Sequence, residues 1–272
     1  MTASSADPTS VPRTLKVLIV RHGQTDHNIR RILQGHLNTR LNEQGRSQAT
    51  LLGKYWAAPA TSQNIDAVFS SDLQRCITTN NLILTELGLV APADDDSDKS
   101  TINPDINTHK YAVPVTFTSN LRERDLGPLQ SMYVKEAHAK AASEGKSFVD
   151  YGESMKSVRG RLRLVWADLI DTARKNPDIS TIMIVSHGGA ISKLCADLVN
   201  TGSVRIADEV PVESIAVPPN TSVTTLLIPL DLDEDPEKND LKEGKVHKQG
   251  KLADFGNTEH LKVPVTTYQD EQ

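Results

Sequence analysis

This 272-residue chain has few cysteines, no long apolar run and no excess of positive charge, and each of these features excludes a class of protein. The two cysteines, Cys76 and Cys195, are too few for a disulfide framework or a cysteine-based metal site. No apolar run reaches the roughly 18 to 20 residues that span a bilayer. The net charge of -5 argues against a general surface for nucleic acid or anionic membranes.

The first residues also lack the features of a secreted protein. Residues 1–13 are polar, without the apolar segment of a signal peptide, and their composition is typical of a disordered leader. A reducing compartment suits the cysteine usage, so we expect a cytoplasmic protein, with nothing that argues against the nucleus. We expect neither nucleic acid nor a membrane as a partner. The sequence leaves open whether the chain forms a homo-oligomer.

Strand and helix patterns alternate along most of the chain. This alternation predicts one α/β domain over residues 14–272, a three-layer α/β/α sandwich with a mostly parallel central sheet. Ligands of such sheets bind at the carboxyl ends of the strands. The predicted strands are 15–20, 66–71, 113–119, 181–186 and 220–230, and the predicted helices are 43–57, with Asn42 as its N-cap, 72–88, 131–145, 154–175 and 188–200.

Three stretches do not fit the alternation. Residues 91–112 are acidic, contain proline and have no period, which predicts a surface insertion or a disordered loop. Residues 231–251 form a charged, turn-rich excursion that we expect to be solvated. The tail at 251–261 is expected to hold at most one short ordered element.

Two distant segments share one pattern. "LKVLIVRHG" at 15–23 and "TIMIVSHGG" at 181–189 each run from an apolar strand through one polar residue into histidine and glycine. Because parallel strands end at the same edge of a sheet, His22 and His187 are predicted to face each other although 165 positions separate them. A glycine after each histidine permits close backbone approach.

Two more strand ends bring charged groups to this edge. Arg75 follows the strand in "DAVFSSDLQR", and Glu123 follows the next strand in "LRERDLG". With Arg21 they make a cationic pocket whose guanidiniums match phosphate oxygens. A neutral imidazole is a nucleophile near pH 7, and a glutamate can protonate a leaving alkoxide and then take a proton from water. The set indicates phosphoryl transfer through a phosphohistidine without a metal, although a zinc or iron site on the two histidines and Glu123 stays open.

Five motifs in this order resemble a known family. "VRHGQTDHN", "SSDLQR", "LRERDLG", "GES" and "VSHGG" are similar to the histidine phosphatase superfamily, in its phosphoglycerate-mutase-like branch. The resemblance covers residues 15–228 except for the acidic insertion. Within the branch the chain is most similar to fructose-2,6-bisphosphatase-like enzymes and to fungal broad-specificity phosphatases. The tail "FGNTEHL" fits the fungal group.

The resemblance implies a role for each residue that matches a motif. His22 would be the nucleophile, Glu123 the acid and then the base, and no cofactor or metal would be needed. Arg21, Arg75 and His187 would hold the transferred phosphoryl group. Further phosphate and substrate contacts would come from Asn28, Thr25, Gln34, Gly35 and Gly188, with Glu153, Asn220 and Ser222 nearby.

The choice between phosphatase and mutase depends on the stretch after "LRERDLG". The cofactor-dependent mutases carry a paired arginine there, and this chain has none. Ser131 also stands where those enzymes usually have glycine, and Leu126 where they have an aromatic residue. We therefore expect a hydrolase of small phosphomonoesters such as sugar phosphates or related metabolites, with bisphosphorylated sugars open. The alternatives are a phosphoglycerate mutase and, outside enzymes, an inactive adaptor on the same fold.

Overall fold

The computed structural model describes residues 13–90, 109–211, 215–230 and 249–262. Most of the predicted leader, of the insertion at 91–112 and of the excursion at 231–251 lies outside the described residues, so those predictions stay predictions. The described end of the insertion is ordered, since Tyr111 forms an isolated β-bridge with Val90.

The described residues form one sheet of seven strands in the order β3-β2-β4-β1-β6-β7-β5. Strand β1 pairs in parallel with β4, β2 pairs in parallel with β4 and β3, and β5 pairs in parallel with β7. Strand β6 runs antiparallel to β1 and β7. The predicted mostly parallel sheet is therefore confirmed. The strands are β1 Thr14–Arg21, β2 Ala67–Ser71, β3 Val115–Thr118, β4 Thr181–Ser186, β5 Val204–Ile206, β6 Val223–Pro229 and β7 Gly250–Asn257.

Helices connect most of these strands, and the predicted helices are confirmed in place with small changes at their ends. Asn42 caps α2 as predicted, because its side chain accepts a hydrogen bond from the Gly45 N–H at 2.8 Å. Gly88, just beyond α3, adopts the left-handed conformation typical of a helix stop, with φ of 68°. The helices are α1 Asp26–Arg30, α2 Glu43–Ala57, α3 Gln74–Glu86, α4 Val134–Ser143, α5 Met155–Lys175 and α6 Gly188–Asn200.

The alternating side chains of β1 show why the domain has three layers. Leu15, Val17 and Ile19 point into one apolar cluster, which α5 and α6 cover. Leu18 and Val20 point to the other face, into a cluster covered by α2 and α3. A strand that is buried on both faces reads as a continuous apolar run, and this is the pattern of the sequence.

The tail differs from its prediction. Strand β7 is eight residues long, and a short 3-10 helix follows at Glu259–Leu261, so the expectation of at most one short element is wrong. The tail has little apolar periodicity of its own, and β7 is ordered by antiparallel pairing with β6. Strand β5 and helix α1 also escaped prediction, because three and five residues are too few to establish a period.

No helix in the described parts of the chain is both long enough and apolar enough to cross a bilayer.

Candidate active site

The register of two neighbouring strands brings the two histidines together. Arg21 of β1 pairs with Ser186 of β4, so the next residue on each strand is a histidine. The rings of His22 and His187 lie edge to face, with their centroids 5.2 Å apart. The two strand ends therefore bring these histidines into contact, in agreement with the predicted placement.

His22 is held as a neutral imidazole with one ring nitrogen open. Its Nδ1 lies 2.7 Å from the Gly23 carbonyl oxygen, and since a carbonyl can only accept, Nδ1 must carry the hydrogen. The lone pair of Nε2 is then left for attack. The side chain is 3% exposed. Burial first, and then the charges of Arg75 and Arg21, hold the pKa of His22 well below its usual range.

His187 has both ring nitrogens engaged. The Arg75 Nε–H donates to Nδ1 at 3.2 Å, and because a guanidinium has no acceptor, Nδ1 must be unprotonated. Nε2 then carries the hydrogen and donates it to the Ser71 hydroxyl at 2.9 Å. Burial, followed by the charge of Arg75, lowers the pKa of His187 well below its usual range.

The two arginines differ in how much of their hydrogen-bonding capacity the protein uses. Arg75 is 1% exposed and donates to the carbonyls of Leu37 at 2.6 Å and Gly35 at 2.9 Å. Arg21 donates one Nη1–H to the Pro218 carbonyl at 2.6 Å. Its Nε–H is buried and has no partner among the described residues. A buried guanidinium donor without a partner is a ready contact for an anion.

Glu123 is fixed by two backbone donors. Its Oε2 accepts from the Gly189 N–H at 2.9 Å, and its Oε1 accepts from the Arg124 N–H at 3.0 Å. A Cβ at position 189 would lie 2.5 Å from Oε1 of Glu123, so the glycine leaves room for the carboxylate in this position. Arg161 of α5 donates to the Glu123 carbonyl at 3.0 Å, and so does the His36 ring at 2.9 Å. The His36 ring therefore supports the backbone of Glu123.

Four of the five predicted binding residues line the cavity that contains these groups, namely Asn28, Gln34, Gly35 and Gly188. The fifth, Thr25, is fully buried outside the lining, and its hydroxyl donates to the Asn28 side-chain oxygen at 3.0 Å. Thr25 therefore orients Asn28 and does not face the cavity.

The loop before β6 holds the backbone of Arg21 and His22. The Asn220 amide donates to the His22 carbonyl at 2.9 Å, and the Thr221 N–H donates to the Arg21 carbonyl at 3.0 Å. Ser222 accepts from the Arg21 N–H at 3.2 Å through its carbonyl. These residues position the strand end, which agrees with their predicted place beside the site.

The cavity has a volume of about 480 Å³ and a lining that sequence reasoning found only in part. The inner end was predicted from the strand ends. The outer wall was missed because its residues come from loops and helix ends with no common period. Its additional members are Ile32, Leu33, Arg124, Leu126, Phe148, Val149, Met155, Val158, Gly189, Lys193 and Val217.

Within the described residues, no group of three or more histidine, cysteine, aspartate or glutamate side chains could hold a metal ion. The expectation of a metal-free reaction stays a prediction.

The chain matches a known protein family over most of its length. A family model for the histidine phosphatase superfamily, branch 1, matches residues 17–98 and 100–229. The chain belongs to the histidine phosphatase superfamily. A broad-specificity phosphatase of Saccharomyces cerevisiae is 35% identical over 178 residues, which cover 65% of this chain and 67% of that protein. A probable phosphatase of Schizosaccharomyces pombe is 29% identical over 252 residues, covering 93% of this chain and 98% of its own length.

Solved structures of this superfamily share the fold. A mycobacterial glucosyl-3-phosphoglycerate phosphatase aligns with a TM-score of 0.56 and 26% identity, covering 78% of this chain and 92% of its own. A phosphoglycerate mutase from Bacillus anthracis aligns with a TM-score of 0.63 at 18% identity, over 92% of this chain and 96% of its own, and supports the fold alone. The predicted family, fold and phosphatase class are confirmed.

Proposed function

We propose that this histidine phosphatase hydrolyses small phosphomonoesters through a phosphohistidine on His22, with Glu123 as general acid and then base. The observation that carries the proposal is the state of His22, a buried neutral imidazole whose Nδ1 is tied to its own backbone and whose Nε2 is left open. The unpartnered Nε–H of Arg21 supplies a donor for the phosphoryl oxygens.

The first step transfers the phosphoryl group to the enzyme. The Nε2 lone pair attacks phosphorus, the bond from phosphorus to the ester oxygen breaks, and Glu123 protonates the departing oxygen. In the second step a water attacks the phosphohistidine and gives a proton to Glu123. The bond from Nε2 to phosphorus then breaks, which releases inorganic phosphate and restores neutral His22.

The surrounding cations stabilise the charge that develops on the phosphoryl oxygens. Arg21 and Arg75 are proposed to hold these oxygens together with His187, which contacts the His22 ring and accepts from Arg75. Asn28, Gln34 and Gly188 complete the phosphate contacts, and Gly35 shapes the cavity beside Arg75. The partner implied is a small phosphorylated metabolite.

The direct test of this function is turnover of p-nitrophenyl phosphate. We expect the wild type to hydrolyse it and His22→Ala to lose a factor of at least about 10⁴ in kcat, since removal of a nucleophile abolishes the covalent route. His138→Ala is the matched control, because His138 is exposed on α4 and does not line the cavity. Residual activity of His22→Ala within tenfold of the wild type would refute the assignment of the nucleophile.

A further inference from the structure

The cavity has two chemically different ends. Its inner end carries the charged and polar groups that emerge from β1, β4 and the start of α3. Its outer wall is apolar, built from the segment 126–158, from the residues after α1 and from the loop before β6. The apolar members of this wall are Ile32, Leu33, Leu126, Phe148, Val149, Met155, Val158 and Val217.

Two of these apolar side chains are exposed to solvent at the cavity. Val149 is 55% exposed and Val217 is 61% exposed, and they are two of the five large hydrophobic residues that are exposed in the described chain. They come from different segments of the chain, and both line the cavity that contains the charged groups. Exposed apolar side chains that line one cavity indicate a ligand with apolar surface.

The outer end also has little charge to offer a second phosphate. Of the cations outside the inner end, Arg124 donates to the carbonyls of Glu153 at 2.7 Å, Val149 at 2.9 Å and Tyr151. The donors of the Arg124 guanidinium are therefore already hydrogen-bonded to the carbonyls of this loop. Lys193 is exposed and is the one remaining cation in the lining. A single ammonium lacks the bidentate geometry with which guanidiniums bind phosphate.

We infer that the preferred substrates are monophosphates whose leaving group has a largely apolar body, rather than polyhydroxylated or bisphosphorylated sugars. The inference rests on the proposed function, because it places the phosphate of the substrate at His22. Burial of apolar surface against the outer wall then supplies binding energy that a sugar hydroxyl cannot, since a hydroxyl without a partner is costly to desolvate.

The test compares hexyl phosphate with glucose 6-phosphate, which are both phosphates of primary alcohols with six carbons. We expect kcat/KM to be at least about tenfold higher for hexyl phosphate. We also expect fructose 1,6-bisphosphate to gain no more than about threefold over fructose 6-phosphate, because no second guanidinium site is available. Equal or better turnover of glucose 6-phosphate, or a gain of about tenfold or more from the second phosphate, would overturn the inference.

A double variant, Val149→Ser with Val217→Ser, tests the wall itself. Both side chains are exposed, so the fold should tolerate the change, and the preference for hexyl phosphate should fall by about tenfold. Leu164→Ser is the matched control, since Leu164 is 60% exposed on α5 but does not line the cavity, and the preference should stay. An unaltered preference in the double variant would contradict the inference. Failure of the wild type on p-nitrophenyl phosphate as well would instead overturn the proposed function, and this inference with it.

Discussion

The two segments that run from strand through histidine to glycine, 15–23 and 181–189, share a sequence pattern and adjoining strands, yet their histidines have different surroundings. The Nδ1–H of His22 donates to the backbone carbonyl of Gly23, and Nε2 is left open. His187 has its two nitrogens held by Arg75 and Ser71. The shared pattern sets where each ring lies, and the neighbouring side chains set what it can do.

The glycines after the two histidines differ in the same way. Gly23 packs against the backbone of Gly45 at the start of α2, and its N–H donates to the Thr79 hydroxyl at 3.0 Å. Gly188 begins α6, whose next N–H, from Gly189, holds the carboxylate of Glu123 at 2.9 Å. The first segment therefore presents the proposed nucleophile, and the second positions the proposed acid.

Removal of the proposed acid should have the largest effect after loss of His22. For an alkyl phosphate, Glu123→Gln should lower kcat/KM by about 10³, because an alkoxide needs a proton to leave. For p-nitrophenyl phosphate the loss of kcat/KM should be much smaller, since that leaving group is stable without a proton. The comparison uses kcat/KM, which reports the transfer of the phosphoryl group to His22, because kcat also contains the hydrolysis step in which Glu123 is the proposed base for both substrates. The matched control is Glu259→Gln, since the Glu259 side chain is exposed, and it should leave kcat/KM on both substrates unchanged. An equal loss of kcat/KM on both substrates in Glu123→Gln would argue against an acid role for Glu123.

A smaller effect should follow when the surroundings of His187 are made more like those of His22. Ser71→Ala removes the hydroxyl acceptor of the His187 Nε2–H and leaves that donor with the weak acceptor sulfur of Cys76 at 3.4 Å. We expect kcat on p-nitrophenyl phosphate to fall about tenfold as the ring loses one of the hydrogen bonds that orient it. Ser70→Ala is the neighbouring control, because the Ser70 hydroxyl donates to the Ser71 carbonyl at 3.0 Å and makes no hydrogen bond to His187. Equal rates for the two variants would show that the contact with Ser71 does not matter.

The smallest expected effect is on the pH dependence of stability, and it concerns His260. This histidine is buried like His22 and His187 but does not line the cavity, so it can be compared with both. Its Nε2 lies 3.1 Å from the Thr221 hydroxyl, and burial lowers the pKa of His260 to about 4. A histidine whose pKa is lowered by folding stabilises the fold above about pH 6.5, and this stability is lost as the pH falls toward 4.

Urea denaturation at pH 7 and pH 5 measures this loss. Between these values His260 should remove up to about 2 kcal/mol from the free energy of unfolding, and His260→Gln should remove that part of the dependence. His22 and His187 change stability in the same direction, since the pKa of each is also lowered, so the variant should keep a residual slope. A steeper loss in His260→Gln than in the wild type would contradict this account.

The inner end of the site could be predicted from the sequence because few possibilities existed. Short apolar runs bounded by polar residues are typical of buried strands, parallel strands end at one edge of the sheet, and the residues shortly after each run are therefore expected there. This argument located His22, His187, Arg75 and Glu123 from strand ends alone. It could not find the hydrogen bond from His187 to Ser71, because nothing in the two sequences indicates how neighbouring side chains turn toward each other.

The outer wall could not be predicted for a different reason. Phe148, Val149 and Val217 lie in segments without a period. The place of Phe148 and Val149 depends on the loop whose carbonyls accept hydrogen bonds from Arg124. The role of Thr25 in orienting Asn28 could not be predicted either, since only the fold shows that its hydroxyl donates to the Asn28 side chain. Strand β7 needed β6 as a partner before its residues could form a strand.

The most direct test of the phosphohistidine on His22 is its capture during turnover. The enzyme is mixed with p-nitrophenyl phosphate, quenched at neutral or alkaline pH within the first turnovers, and digested for mass spectrometry. We predict a phosphate on the peptide that contains His22, absent from His22→Ala and present at lower occupancy in wild type left to exhaust its substrate. Phosphate on His187 instead, or turnover without any phosphorylated histidine in the first cycle, would contradict the proposed roles of the two histidines.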